Sequence, residues 1–376
     1  MKNLVIIVLI IWAPLLSSAG SNDALLVTGK VIDEVTKEPL PFANIIYHQQ
    51  GTSTNPDGEF VMLIEQRDKV NKLLVKFIGY ESQTIDLDEQ SKEVLIKMTR
   101  STEFLENLTV YSADQIMKDV HNYRQINYEF EDQVLSTYYK ESVNAPKRCV
   151  YLAEGIFDIY LPTIYSKENT VISAQKTRKK EFISLDRLGI PMFNGHASDM
   201  IESATRREDS FLDREEMVNY VYTKEDVTEY DGKEVYKIKF EPRNKKGTAR
   251  GTLYIDIESK ALIKAEYFPI LENQFFWTNV MWTEEYIEIN GTWYIHRVYY
   301  AGSWDHFGKT FTYDALLVVT DFNQSSEKTD KSELANAAID EQAIFFNEAG
   351  DFDDNFWEDH NYIKLSLKEK NSLVQK

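Results

Sequence analysis

Tyr230-Asp231-Gly232-Lys233-Glu234-Val235-Tyr236-Lys237-Ile238-Lys239-Phe240 is the stretch that decides how most of this chain folds. Asp-Gly accepts the positive φ values of a two-residue type I′ turn, so it marks a hairpin tip. Beyond the tip, Tyr236, Ile238 and Phe240 share one face of a strand while Val235, Lys237 and Lys239 share the other. Ile289-Asn290-Gly291-Thr292 repeats the signal, and Glu258-Ser259-Lys260 reads as a third connection. Together they chain Glu234–Phe240, Thr252–Ile257, Leu262–Phe268, Met281–Ile289, Trp293–Tyr300 and Thr310–Thr320 into an antiparallel meander. Leu253, Ile255 and Ile257 oppose Thr252, Tyr254 and Asp256, so one face is apolar and the other wet. A long curved sheet must cover its apolar face, and the helical candidates for that cover are Ser198–Arg207, Phe211–Tyr220 and Ser332–Phe346. The expectation for residues 129–365 is an antiparallel β half-barrel with a few covering helices, followed by a polar tail at 366–376.

Outward towards the N-terminus, residues 25–98 carry shorter runs: Leu25-Leu26-Val27, Lys30-Val31-Ile32, Ala43–Tyr47, Phe60–Ile64, Leu73–Ile78 and Val94-Leu95-Ile96. Strands this short and evenly punctuated predict a β-sandwich. Asn55-Pro56-Asp57-Gly58 has the chemistry of a tight turn, with Pro presetting φ and Gly accepting φ above zero. Pro39 and Pro41 cannot donate to a central ladder and fit an edge or bulge. Between the two halves, residues 99–128 read as a linker with a short helix. Ser112-x-x-Gln115 has the form of a capping box, and Ile116, Met117, Val120 and Tyr123 recur at helical spacing.

The motifs Gly29-Lys30-Val31-Ile32-Asp33, Pro39-Leu40-Pro41-Phe42-Ala43-Asn44, Gly51-Thr52-Ser53-Thr54-Asn55 with Asp57-Gly58-Glu59-Phe60, and Phe77-Ile78-Gly79-Tyr80 resemble the carboxypeptidase regulatory-like domain. That resemblance covers nearly all of 25–98. It implies a transthyretin-like sandwich of the kind that precedes many outer-membrane receptors and envelope proteins of double-membraned bacteria, an accessory module with no chemistry of its own. The larger half, through Tyr230–Ile238, Gly251–Asp256 and Leu262–Tyr267, resembles the lipoprotein-carrier-like half-barrels of the periplasm, which hold acyl chains under a helical lid. It departs from them by a long insert between Glu181 and Asn219, and no residue-specific ligand contact carries over.

Met1-Lys2-Asn3, the apolar run Leu4–Leu16 and Ser17-Ser18-Ala19 have the layout of a secretory signal peptide over residues 1–19, cleaved between Ala19 and Gly20. The run is 13 residues, short of the ~20 that cross a bilayer, and no other segment reaches that length. The expectation is export across the inner membrane to the periplasm or to association with the outer membrane, with no transmembrane span in the mature chain. A formal charge of −19 on 376 residues argues against nucleic acid or an anionic lipid surface as a bulk partner, local basic patches aside. Cys149 is the one cysteine, which forbids an internal disulfide; within Arg148-Cys149-Val150-Tyr151-Leu152 it reads as a small buried hydrophobe.

No catalytic signature emerges. A zinc carboxypeptidase needs His-x-x-Glu, and of the six histidines only His196 has a carboxylate three residues on, at Asp199. No cofactor or metal is expected. Glu348, Asp351, Asp353, Asp354, Glu358 and Asp359 lack the spacing of a calcium loop and read as a solvated turn around Phe352, Phe356 and Trp357. Arg178-Lys179-Lys180 and Arg206-Arg207 read as solvated faces. Aromatics crowd the end of the meander, and Trp277, Trp282, Trp293 and Trp304 are the candidates for either an apolar-ligand slot or a core, with Phe275, Phe276 and Phe307 nearby. The function expected is therefore non-enzymatic. It is binding of an envelope protein partner through a β-edge or of an apolar ligand in the larger domain. The alternatives are a lipid or lipoprotein carrier-like role, or a hydrolase whose site only folding assembles.

Overall fold

The computed structural model describes residues 24–65, 71–87, 93–101, 111–128, 131–163, 168–184, 197–207, 209–270, 277–322, 334–335, 338–339, 344–353, 356–357 and 360–374. The expected signal segment, including Ala19 and Gly20, lies outside them. β1 (Ala24–Asp33) runs antiparallel to β4 (Glu59–Glu65) and parallel to β7 (Glu93–Met98). A facing sheet has the order β3 (Gln50–Ser53), β2 (Asn44–Tyr47), β5 (Asn71–Lys76), β6 (Gln83–Leu87). Val27, Val31, Ile45, Phe60, Met62, Ile64 and Val75 fill the space between them, as the short β-branched runs require. At the Asn55–Gly58 turn the Asn55 side chain accepts the Asp57 and Glu59 amides at 3.0 and 2.9 Å. Gly58 sits at φ 75°, where a Cβ would stand 2.5 Å from the Val31 carbonyl oxygen.

The larger body is one antiparallel sheet. Its meander is β11 (Tyr220–Tyr230), β12 (Lys233–Pro242), β13 (Ala249–Asp256), β14 (Leu262–Pro269), β15 (Asn279–Ile289), β16 (Thr292–His306) and β17 (Lys309–Asp321). β8 (Gln133–Ala145) pairs beside β17, β9 (Arg148–Leu161) beside β8, and β10 (Val171–Glu181) beside β9. The expected turns form as read: Asp231 and Gly232 have φ of 56° and 73°, and Asn290 and Gly291 have 53° and 88°. A further turn of the same hand, not expected from the sequence, puts Phe307 at φ 48° and Gly308 at 69°.

The sheet curves around an inner apolar face. Onto it pack Ile116, Met117 and Val120 of α1 (Ala113–Asn127), Ala197, Met200 and Ile201 of α2 (Ala197–Ile201), the loop residues Phe211 and Leu212, and Phe345 and Phe346 of α3 (Phe345–Glu348). Ser112 caps α1 by accepting the Gln115 amide at 3.2 Å, but the Gln115 side chain turns to Asp119, so half the capping box forms. The covering helices are shorter than expected. Around 203–217, backbone carbonyls of Ser203, Ser210 and Asp213 close tight turns, and the helical part of Phe211–Tyr220 shrinks to a 3₁₀ turn at Met217–Asn219. These are residue types that favour turns over helix interiors.

Among the contacts that join the halves, two stand out. Asp321, the last residue of β17, pairs with Gln50 of β3, and the Phe322 amide donates to the Gln49 carbonyl at 2.7 Å, so the sandwich continues the larger sheet. The segment read as a polar tail contains a docked helix, α4 (Leu367–Val374), with Glu369 and Ser372 buried. Lys370 pairs with Glu59 at 2.6 Å, the Leu367 amide donates to Asp57 at 2.6 Å, and Asn361 accepts the Leu63 amide of β4 at 2.6 Å.

Candidate functional site

Two of the four candidate tryptophans, Trp277 and Trp304, meet, and Trp282 joins them through Tyr300. Trp304, on β16, is fully buried and stacks on Phe311 of β17 with centroids 5.7 Å apart. Trp277 meets Trp304 edge-on at 5.6 Å, and Trp282 meets Tyr300 at 5.0 Å while lying parallel to Tyr267 at 6.4 Å. Gly302 makes this possible: a Cβ there would lie 2.4 Å from the Trp277 ring, so glycine lets the indole cross β16 flat against the backbone. Trp277, Trp282 and Tyr300 stay half-buried. Trp293 is elsewhere, buried near the opposite end of β16, with the Lys233 ammonium 5.3 Å over its ring. Phe275 and Phe276 lie outside the described residues.

Two buried carboxylates that sequence reading misses face the inner side. Glu141 accepts hydrogen bonds from Tyr139 and Tyr313 hydroxyls at 3.0 and 3.1 Å, and burial pushes its carboxyl up to about 7. Glu284 accepts from the hydroxyls of Tyr267 at 2.7 Å and Tyr286 at 2.9 Å, and from the Ala204 amide at 2.8 Å. Their signal in the sequence is a tyrosine two residues away in the same strand, Tyr139 and Tyr286, which period 2 places on the same face.

The outer side is built from ion pairs. Glu154 is held by Arg178 at 2.8 Å and by the Tyr138 hydroxyl, Lys140 by Glu369 at 3.0 Å, and Glu285 by Arg297. Burial raises Glu154 despite Arg178; for Glu285 and Glu369 burial pushes the same way but the Arg297 and Lys140 charges outweigh it and hold both carboxyls below the usual range. Arg178 corrects the sequence reading of its cluster as solvated. It is 4 % exposed, with its guanidinium 4.3 Å from the Phe352 ring centroid and 4.8 Å from that of Trp357. Trp357 is buried too, so the stretch packs its aromatics on the outer face while Glu348, Asp351 and Asp353 stay exposed, as read; Asp354, Glu358 and Asp359 lie outside the described residues. Cys149 is buried, with its Sγ 3.1 Å from the Tyr151 carbonyl oxygen, as expected of a small core residue.

Between the described residues the inner face leaves little room. A cleft lined by Tyr128, Tyr286, Ser203, Thr205 and Trp293 has a volume of about 20 Å³, which suits a water molecule but not an acyl chain. Each buried carboxylate named above is engaged by hydroxyls, amides or a cation, and among the described residues none faces a base across this cleft. Nor is any group of three or more His, Cys, Asp or Glu among the described residues placed to hold a metal ion; His196 lies outside them.

Comparison with known proteins gives two family matches: the CarboxypepD_reg-like domain over residues 27–110, and a family of unknown function, DUF5686, over residues 96–322. No curated protein matches. Among solved structures, the chain is similar to a domain assigned to outer membrane lipoprotein sorting from Vibrio parahaemolyticus, at 10% identity and TM-score 0.31, covering 60% of this chain and 97% of that one. It is also similar to a DUF1329 family protein from Desulfovibrio piger, at 12% identity and TM-score 0.25, covering 60% and 100%. The MucA/MucB complex of Pseudomonas aeruginosa matches at 8% identity and TM-score 0.19, covering 55% and 93%.

Proposed function

The chain belongs to the family of unknown function DUF5686, and we propose that this member is a non-catalytic interaction module of the bacterial envelope, exported by its N-terminal signal segment and binding a protein partner through its sandwich. The observation that carries the reading is the filled inner face. Trp304, Trp293, Tyr139, Tyr286 and Phe157 are buried there, and the cleft beside them holds about 20 Å³. Among the described residues the inner face is packed by the protein's own side chains, which supports contact at the surface over carriage inside.

The sandwich edges support the choice of surface. β17 pairs with β3, and Asn361 satisfies the Leu63 amide of β4, so those two edges serve the molecule's own assembly. β6 is the last strand of its sheet, with no described strand beyond it. The far edge of the larger sheet is guarded instead: β11 carries a bulge between Lys224 and Asp226 and a run of charges, Lys224-Glu225-Asp226. Such devices discourage strand addition. β7 is the other end strand, and its Lys97 and Met98 carbonyls are taken by the Gln83 side chain and the Glu34 amide, so strand pairing at β6 is the mode favoured.

Native mass spectrometry of protein purified from the envelope should give the polypeptide mass alone; a stoichiometric added lipid mass would return the carrier reading. A photo-crosslinker at Thr84 on β6 should capture an envelope protein that the same group at Glu225 on β11 does not. Equal capture from both positions would overturn the β6 assignment.

A further inference from the structure

The strand registers gather one set of loops at the end of the larger sheet away from the sandwich. Tyr220 lies opposite Pro242, Ala249 opposite Pro269, Asn279 opposite Ser303, Ala145 opposite Arg148, and Glu181 opposite Tyr151. The sandwich contacts, Asp321 with Gln50 and the Gly79 amide on the Glu229 carbonyl, are at the other end. This distal rim has a charge that the chain as a whole does not. The β8–β9 turn exposes Lys147 and Arg148, and the β12–β13 turn exposes Arg243, Lys245 and Lys246. Among the described residues, Glu181, Asp209, Glu215, Glu241 and Asp305 are the exposed acids of these loops, and Glu241 is paired with Lys239 at 3.1 Å. In a sequence with 61 acidic and 42 basic side chains, a rim weighted to lysine and arginine runs against composition.

The same rim exposes apolar side chains: Phe307 at 91 %, Val218 at 62 %, and Val221 and Ile270 less so. Phe307 stands on a finger. The partner strand β15 begins opposite Ser303, while three further pairs of β16 and β17 continue, from Trp304 with Phe311 to His306 with Lys309. At ~3.3 Å per residue the finger projects about 10 Å. Its base is fixed by the Trp304, Phe311 and Trp277 stack, and its tip holds a phenylalanine in the left-handed backbone region with Lys309 exposed beside it. The two other turns of this type put Asp231 and Asn290 at that position. Apart from an edge-on contact with the His306 ring at 4.4 Å, the bulky aromatic there is exposed, and it sits in a backbone region that disfavours it.

We propose that the distal rim docks on an anionic lipid surface, with Phe307 entering the interfacial layer and Lys147, Arg148, Arg243, Lys245 and Lys246 meeting lipid phosphates. A rigid aromatic tip ringed by lysine and arginine is the arrangement that combines apolar insertion with charge attraction. It does not depend on which edge of the sandwich takes a partner.

The test is flotation of the chain begun at Gly20, so that Leu4–Leu16 cannot itself insert, with protein-free vesicles of phosphatidylethanolamine and phosphatidylglycerol and with vesicles of phosphatidylcholine. The expected result is binding to the first and not the second, lost at high salt. Phe307→Asn suits the turn and should keep the fold, yet weaken binding about tenfold, and Lys245→Glu with Lys246→Glu should weaken it by at least as much. No binding to the anionic vesicles at low salt overturns the proposal, as does binding that neither variant changes. Capture by an acidic envelope protein, with protein-free vesicles left unbound, overturns it as well.

Discussion

On the inner face of the larger sheet, Glu141 is answered by two tyrosine hydroxyls. On the outer face, Glu154, opposite Lys140 on the neighbouring strand, is answered by the Arg178 guanidinium, and Glu285 by Arg297. All three carboxylates are within 2 % of full burial. The inner side is closed by aromatic rings from α3 and the strands themselves and by the apolar face of α1, and it offers hydroxyls but no cation to Glu141. The outer side is closed by the sandwich and the C-terminal segment, and each brings polar or charged partners. Around Glu141 the inner face therefore behaves as an ordinary core that disfavours charge, while the outer face answers its carboxylates with cations.

Breaking the outer arrangement should have the largest effect. Arg297 holds Glu285, which also accepts from Asn44 of the sandwich at 3.0 Å, and its guanidinium lies 4.7 Å from the Phe42 ring centroid. Arg297→Met leaves Glu285 charged and buried, and should cost about 3–5 kcal/mol in urea unfolding. Adding Glu285→Leu should restore most of that loss. A single variant that loses less than about 1 kcal/mol would mean the junction is held by packing and not by charge.

The inner arrangement predicts a pH dependence of its own. The Glu141 carboxyl titrates near 7 when folded, above its ordinary unfolded value near 4.3. The folded state holds this proton more tightly, so the group's stabilising contribution is full below the unfolded value and is lost as pH rises to about 7. The loss is about 4 kcal/mol, since each tenfold difference in proton affinity between the folded and unfolded chain is worth about 1.4 kcal/mol. Relative to wild type, Glu141→Gln should be close to neutral at pH 4 and more stable by most of that amount at pH 8, read from urea midpoints across the window. A constant difference between the two proteins at every pH would show that Glu141 keeps its charge inside the core.

Much of this contrast lies beyond reach of the sequence, for identifiable reasons. The sandwich, the meander and its Asp-Gly and Asn-Gly turns are legible because period-2 alternation and turn chemistry are local. Arg178 is not, because a basic triplet looks solvated on its own, and the rings that enclose it, Phe352, Phe356 and Trp357, come from about 175 residues away. The β17–β3 pairing rests on a single residue pair and leaves no pattern to read. Trp304 and Trp293 are buried, but which tryptophans touch depends on Gly302, whose role shows only once Trp277 crosses it. The Phe307 turn gives no signal because phenylalanine is not a residue expected at a left-handed position.

That turn gives the smallest prediction and the sharpest comparison between the two ends of the sheet. Asp231, Asn290 and Phe307 occupy equivalent left-handed positions, at φ 56°, 53° and 48°, each followed by a glycine. Asp231 and Asn290 lie at the sandwich end, where the turn residue suits the turn; Phe307 lies at the distal rim, where it does not. Phe307→Asn should therefore stabilise the chain by about 1 kcal/mol, a rise in Tm of about 2 °C for a chain of this size. Asn290→Phe should lose a similar amount at an exposed site that has no rim around it. If both substitutions leave Tm unchanged, the phenylalanine is not strained, and its place at the tip needs no function to explain it. If Phe307→Asn raises Tm while vesicle binding falls, the strain at the distal rim is maintained at the expense of stability, the pattern expected where a side chain is kept for contact.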